Sequence, residues 1–382
     1  MKRVVILCVW LFSVVAGHAQ LSLDECRRLA RENYPEIRQY DLVHQTEQYN
    51  LSNAARAWIP QIAFSAQATW QTDAPNFPKE LTGMLAQQGL EIPGLRKDQY
   101  KVALELNQTI WDGGKSVADK RIARAEAAEQ KTMTDVDLYE LEGRVDDLYF
   151  GILLLDERIA QTNLTLNLLR SNLEKVRALQ RNGVAMQSDA DVLEAELLSV
   201  GQQLIQFESS CDSYRRMLGI FIGQKVGDRK LQRPSAVQPL SGESARPELA
   251  MFAAKIDRLT AQEKMVKSSS MPRLGFFAQG YYGYPGLDYM QSMMNSDWSW
   301  NAMLGVKLSW NFGAYYTQKN NLNKLRISRQ QVEVQRDVFL FNMNLQAAQE
   351  NGDIARLRKA IADDDRIVAL RGSVGEAAES KS

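Results

Sequence analysis

The chain is poor in the residues that do chemistry. Its 382 residues include 3 cysteines and 2 histidines, and Cys8 and His18 fall within the first nineteen positions, which leaves Cys26, Cys211 and His44 beyond them. That supply excludes most metal and thiol-nucleophile chemistry, and no His/Cys set has metal-ligand spacing. Neither a nucleophile elbow nor a phosphate loop is found, so an enzyme is the least expected class and no cofactor is expected. Net charge is also missing: 46 basic residues balance 46 acidic ones. Nothing in that balance favours nucleic acid or long-range electrostatic steering. Beyond the N-terminus there is no uninterrupted apolar run of about 18 residues, the length of a membrane-spanning helix. If the mature chain enters a membrane, it must do so as a closed β-barrel, because lipid satisfies no open backbone.

What is present begins with an export signal over residues 1–19. Lys2 and Arg3 precede an apolar run from Val4 to Val15, and Gly17-His18-Ala19 forms a small-x-small cleavage site ahead of Gln20. Cys8 lies inside the apolar run, away from the cleavage point, which argues against lipid attachment there.

The mature part then says the same thing twice. Pro35-Glu36-Ile37 is followed 25 positions on by Trp58-Ile59-Pro60-Gln61-Ile62, and Pro247-Glu248-Leu249 is followed at the same interval by Met271-Pro272-Arg273-Leu274. A second alternating run closes each copy, and a long charged helix pattern follows. Repeats of this period set the architecture before any single motif is weighed.

Each copy holds two segments of period two, the mark of strands with one apolar face. Ile62, Phe64, Ala66, Ala68 and Trp70 alternate with Gln, Ser and Thr; Tyr100, Val102, Leu104, Leu106 and Ile110 oppose Lys101, Glu105, Asn107 and Thr109. In the second copy Leu274, Phe276, Ala278 and Tyr282 share a face, as do Trp300, Leu304, Val306 and Leu308, with Asn301 and Lys307 opposite. Strands are expected at about 61–72, 100–111, 273–283 and 298–312. About ten residues suit a tilted transmembrane strand, and aromatic residues gather near the strand ends, as at membrane interfaces. A soluble sandwich with a one-sided core shows the same alternation.

Helices are expected at about 23–58, 114–181, 186–221, 247–270 and 315–380. The longest keeps three-four spacing from Leu138 through Val145, Ile152, Ile159, Leu166 and Leu173 to Val176, a coiled-coil seam. Asn182-Gly183 breaks it, and the next helix starts near Ser188-Asp189, which can cap its amides. Cys211 falls on the returning seam as a small packing residue, with a bridge to Cys26 left open. The first repeat is assigned to 20–222, a looser connector to 223–246 and the second repeat to 247–382. Aligning Leu169-Arg170 with Leu370-Arg371 sets Ser382 opposite Arg181, so the second copy is expected to be truncated, its C-terminal helix missing.

The signal, the duplicated helix-strand-strand-helix unit and these motifs resemble the TolC family of outer-membrane efflux proteins. The residues that carry the likeness are Trp58-Ile59-Pro60-Gln61-Ile62 and Met271-Pro272-Arg273-Leu274 entering the odd strands, and Trp111-Asp112-Gly113-Gly114 and Trp310-Asn311-Phe312-Gly313 leaving the even ones. The turn from Arg181 through Gly183, Val184 and Ser188 to Ala195 completes it. The resemblance implies an α+β membrane protein: a homotrimer whose 12-stranded transmembrane β-barrel continues into a long periplasmic α-helical coiled-coil barrel. It also implies the exit duct of a tripartite export system with a periplasmic adaptor and an inner-membrane pump, in contact with outer-membrane lipid and without nucleic acid. Ile62, Phe64, Val102, Leu104, Leu106, Leu274, Phe276, Leu304, Val306 and Leu308 would then face lipid, and Lys101, Glu105, Gln279 and Lys307 the lumen. Asn182, Gly183, Val184, Ser188, Asp189 and Asp191 would form the periplasmic tip that meets the adaptor; Asp189 and Asp191 are either a cation-selecting ring or ordinary caps. Truncation would make this chain a non-functional version of such a duct. The rival reading is a periplasmic coiled-coil adaptor or scaffold, which the paired strands inserted in each copy argue against.

Overall fold

A computed structural model of the protein describes residues 20–90, 92–234 and 246–379; the export signal at 1–19 and positions 235–245 of the connector lie outside the described residues. Helix α1, Leu23–Asn33, opens where the Ser22 hydroxyl accepts the Glu25 amide, with Asp24 and Glu25 in its first turn. The helix expected without a break over 23–58 is divided. Pro35 cannot supply the amide that a continuing helix needs, so a 3₁₀ turn at Pro35–Arg38 separates α1 from α2, Gln39–Arg56. The chain continues as β1 (Gln61–Trp70), α3 (Lys79–Gln87), β2 (Asp98–Trp111), α4 (Lys115–Arg181), α5 (Gln187–Ile222), α6 (Pro247–Ser268), β3 (Arg273–Tyr284), α7 (Tyr289–Met294), β4 (Ser299–Ser309) and α8 (Gly313–Glu379). Helices α3 and α7 lie inside the two interstrand loops, where period-two reading gave no element.

The fold is mostly helical, with one small antiparallel sheet of order β1-β2-β3-β4. Each repeat contributes one hairpin, and the hairpins join through β2 and β3. β1 and β4 are the outer strands, so the sheet of a single chain is open.

The chain forms two compact units. The first runs to Gln45 and resumes over 130–251. Its core is the seam of α4, where Leu138, Leu141, Val145 and Ile152 are fully buried, packed with Cys26, Ala30, Cys211 and Leu218. The first half of the connector belongs to this core. Val226 and Leu231 are buried, Leu231 bridges to Leu21, and the Tyr149 hydroxyl is shared between the Leu21 and Gln232 carbonyls at 2.7 and 2.6 Å. Two well-spaced apolar residues sufficed to anchor a segment that its prolines and glycine made look loose.

The second unit, 46–129 and 252–382, contains the sheet, the start of α4, most of α6 and the described part of α8. Small side chains line its buried helix faces: Ala118, Ala123 and Ala127 on α4, Ala254 and Ala261 on α6. Such faces let helix backbones approach closely. Phe252 and Phe339 pack 5.9 Å apart between α6 and α8. Among the described residues no helix is long and apolar enough to cross a membrane.

Candidate functional site

The sheet is the first candidate. Its register aligns the even positions of all four strands on one face: Phe64 opposite Leu104, Ile62 opposite Leu106, Leu106 opposite Ala278, Ala278 opposite Leu304, Phe276 opposite Val306 and Leu274 opposite Leu308. Val102 stands beside Ala66 and Tyr282 in the same set. The odd positions make the other face, where Glu105 opposes Gln279 and Lys307 opposes Gly275. Exposure is inverted relative to a water-soluble sheet. Phe64, Leu304 and Trp300 on the apolar face are 72%, 75% and 82% exposed, whereas Ala103 and Tyr281 on the other are 1% and 8%.

The polar face is organised. Lys101 Nζ donates to Gln279 Oε1 at 3.1 Å, and Gln279 Nε2 donates to Glu105 Oε1 at 2.5 Å, so one amide relays between opposite charges. Lys101 also sits 4.6 Å from the Tyr281 ring centroid. Three of the four lumen candidates thus meet; Lys307 stands apart, toward the helix-side end of β4.

Two aromatic clusters bound the apolar face. Tyr100, Tyr282, Trp298 and Trp300 pack together at the loop end, with centroids 5.0–5.7 Å apart, and Trp310 packs on Phe312 at the helix end, 4.7 Å apart. Trp300 and Trp310 are ten residues apart in the chain. At ~3.3 Å per residue that is about 33 Å, and a tilt of ~45° reduces it to about 23 Å, close to the ~25 Å apolar band of an outer-membrane barrel.

Several residues that pattern-reading passed over hold the sheet to its surroundings. Gln108 breaks the even row of β2; its amide donates to the Trp58 carbonyl at 2.7 Å. The other copy uses different chemistry for the same end, the Trp310 indole donating to the Ser270 carbonyl at 3.0 Å. Both carbonyls lie two residues before a strand-opening proline, where a helix has just ended and its acceptors need partners. The only advance signal was a polar side chain in an apolar row. A bulge between Thr109 and Trp111 leaves Ile110 unpaired and sets Trp111 opposite Leu274, so the simple alternation that grouped Ile110 with Leu106 ends at residue 109. At the loop end the buried Tyr284 hydroxyl accepts the Arg96 amide and donates to the Ser292 carbonyl, while Asn301 Oδ1 accepts the Leu287 amide at 2.7 Å.

The second candidate is the turn between α4 and α5. Val184 N–H donates to the Leu179 carbonyl and Gly183 N–H to the Gln180 carbonyl, both at 2.9 Å, a Schellman closure that puts Gly183 at φ +75°. Helix α5 starts at Gln187, between the expected bound at 186 and the expected caps Ser188-Asp189; the Asp189 carboxylate reaches back to accept the Met186 amide at 2.9 Å. Asp191 accepts the Gln187 side-chain amide at 2.7 Å. Both acids therefore serve the first turn of the helix. Asn182 and Ser188 are exposed, and Val184, Met186 and Val192 present apolar side chains at 72%, 74% and 68% exposure.

Cys26 and Cys211 are free and buried, with no bridge between them. Cys211 lies 3.4 Å from both Asp156 Oδ1 and Arg215 Nε, beside their bidentate ion pair. Burial, with Glu25 adding to it, pushes the Cys26 thiol up to about 12. Burial raises Cys211 as well. Neither is poised as a thiolate. Among the described residues no group of three or more His, Cys, Asp or Glu is arranged to hold a metal.

This architecture, an open four-stranded sheet with an exposed apolar face joined to very long helices, is that of a channel-forming outer-membrane protein. The sequence profile of the outer membrane efflux protein family matches residues 27–223, just over half of the chain, and the chain belongs to that family. The family's members are channels, not enzymes, and reside in the outer membrane. The fold is similar to that of the outer membrane protein VceC from Vibrio cholerae (TM-score 0.60, 14% identity, covering 84% of this chain and 75% of that one). It is also similar to the CmeC outer membrane channel of Campylobacter jejuni (TM-score 0.56, 15% identity, 84% and 68% covered). A third likeness is to the open state of the Neisseria gonorrhoeae MtrE outer membrane channel (TM-score 0.53, 14% identity, 82% and 68% covered). No curated protein matches the chain in sequence.

Proposed function

We propose that the protein is the outer-membrane exit duct of a tripartite export system, working with an inner-membrane pump and a periplasmic adaptor. The observation that carries this reading is the largely apolar face of the sheet, on which Phe64, Leu104, Trp300, Leu304, Val306 and Leu308 are exposed while Ala103 and Tyr281 on the polar face are buried. In water that face would be an aggregation site, and in a bilayer it is the stable one. Ile62, Phe64, Val102, Leu104, Leu106, Leu274, Phe276, Leu304, Val306 and Leu308 then face lipid, and Lys101, Glu105, Gln279 and Lys307 face the water-filled lumen.

One chain cannot close a barrel with four strands. Three chains supply twelve, an even number within the range that outer-membrane barrels use, and pairing β4 of one copy with β1 of the next removes every open edge. Exposed apolar residues on the helices support the same assembly: Phe150, Leu154, Leu164 and Leu168 on α4, Leu198 and Ile205 on α5, and Val334, Val338, Phe341 and Leu345 on α8. A ring of neighbouring copies would bury such stripes as a coiled-coil wall. In this arrangement the loops between strands are extracellular and the α4–α5 turn is periplasmic. There Asn182, Gly183, Val184, Ser188, Asp189 and Asp191 form a rigid tip whose exposed Val184 and Met186 give an adaptor apolar purchase. The capping bonds of Asp189 and Asp191 favour a structural role for both acids over a selectivity ring.

Membrane fractionation of the expressed chain, followed by electrophoresis with and without heating, tests the reading. The expected result is a heat-modifiable trimer in the outer membrane. Full-length monomer in the soluble periplasm overturns it and favours the adaptor or scaffold reading.

A further inference from the structure

The polar face of the sheet carries two cations that its own chemistry leaves over. Near the helix-side end a cavity of about 650 Å³ is lined by Arg273, Lys307, Lys115, Glu105 and Asp112 among its charged residues. Three of these are already engaged. Lys115 pairs with Asp119 at 3.0 Å, Glu105 accepts from Gln279 within the Lys101 relay, and the Asp112 carboxylate takes the Gly114 amide together with the Ser116 amide and hydroxyl. Arg273 and Lys307 are exposed, and among the described residues neither lies within ion-pair distance of a carboxylate.

Register puts the two side by side. Arg273 pairs with Ser309 and Lys307 with Gly275, so the cations are diagonal neighbours across β3 and β4 on one face. Gly275 leaves nothing beyond the backbone opposite Lys307. Gly305 makes a floor beside it: a Cβ there would lie 2.9 Å from the Phe277 ring, so only glycine lets that ring sit against β4. The hollow thus offers a guanidinium fork, an ammonium and an aromatic surface within a volume suited to a small molecule.

We propose that this hollow binds small organic anions that combine an anionic group with a flat apolar body, which makes it an anion station on the wall of the duct. The anionic oxygens engage Arg273 and Lys307, and the apolar body lies against Phe277. The station's place in the lumen rests on the duct reading above; its affinity for anions does not.

The test is fluorescence anisotropy of pyranine, a flat trisulfonated dye, titrated with the full-length chain in detergent. The wild type is expected to bind it, and R273Q/K307Q to bind at least about tenfold more weakly, as for losing two charge-assisted contacts. Ser309→Asp, which sets a carboxylate opposite Arg273 with every cation retained, is expected to weaken binding as well. Lys319→Gln, outside the hollow, should bind as the wild type does. No dye binding by the wild type, or equal binding by R273Q/K307Q, overturns the proposal. If the double variant fails to assemble, undiminished binding by Ser309→Asp overturns it alone. Failure of the duct reading is read separately, since a soluble periplasmic chain that still binds dye through Arg273 and Lys307 keeps the anion site and loses the channel.

Discussion

Individual residues in the first unit carry a pH signature. Burial is the leading cause that holds Cys26, Tyr40 and Tyr149 protonated up to about 12, with Asp135 adding to the effect at Tyr40 and the neighbouring Cys26 at Tyr149. Each folded-state value lies above its unfolded one, so the unfolded chain releases these protons first. The stability they contribute is fully present below about pH 9 and is lost as pH rises toward 12. A denaturant midpoint that falls steadily over that window is the expected result; one that holds level to pH 12 would show the three groups to be solvated. Gly183 makes a different demand. Its φ of +75° closes the α4–α5 turn, and a side chain there is strained whatever the space around it. Gly183→Ala should lower stability by about 1 kcal/mol through that strain, seen in equilibrium unfolding. That glycine was legible in advance as a helix breaker. The reach of Asp189 back to Met186 was not, because a cap depends on where the first turn begins, and boundaries shift by a residue without changing the pattern.

Among the elements, the strands are where alternation and register can be set against each other. Leu304→Arg, on the apolar face, should cost barrel assembly about 2–4 kcal/mol if residue 304 sits near the bilayer midplane. Met303→Arg, one residue away on the polar face, should be tolerated. Equal losses at 303 and 304, measured as the yield of folded heat-modifiable protein, would sink the assignment of faces. Asn301 is a poor control for that comparison, since its side chain holds the Leu287 amide. Parity in β1 and β4 was readable from the order of residues alone, as every second one is apolar. In β2 it was readable only as far as Thr109, because the bulge there depends on how Gly275 and Leu274 are offered by a strand of the other repeat. The same limit applies to the connector, where Leu231 becomes structural only by meeting Leu21.

At the scale of the molecule, the proposed duct requires that the open edges of β1 and β4 meet between copies. Cysteines introduced at Ser65 in β1 and, in turn, at Met303 and Lys307 in β4 should yield covalent dimers and trimers on oxidation in the outer membrane. Monomer alone at every pairing would mean that these edges do not meet between copies. The native thiols will not confuse the readout, because both are buried. The shortage of histidine and cysteine, the neutral charge and the lack of a long apolar run beyond the N-terminus narrowed the class before any motif was considered.

The sequence alone determined the duplication, the kind of each principal element and the apolar parity of the strands, because these rest on local period and on the residues that stop a helix. Only the tertiary structure decided that the two hairpins join through β2 and β3, that a bulge shifts the register at Ile110, and that Glu105 and Lys101 are tied through Gln279 while Arg273 and Lys307 have no carboxylate partner among the described residues. Those outcomes depend on which distant strands lie side by side. A one-residue change in pairing moves a side chain to the other face, and no local pattern contains that information.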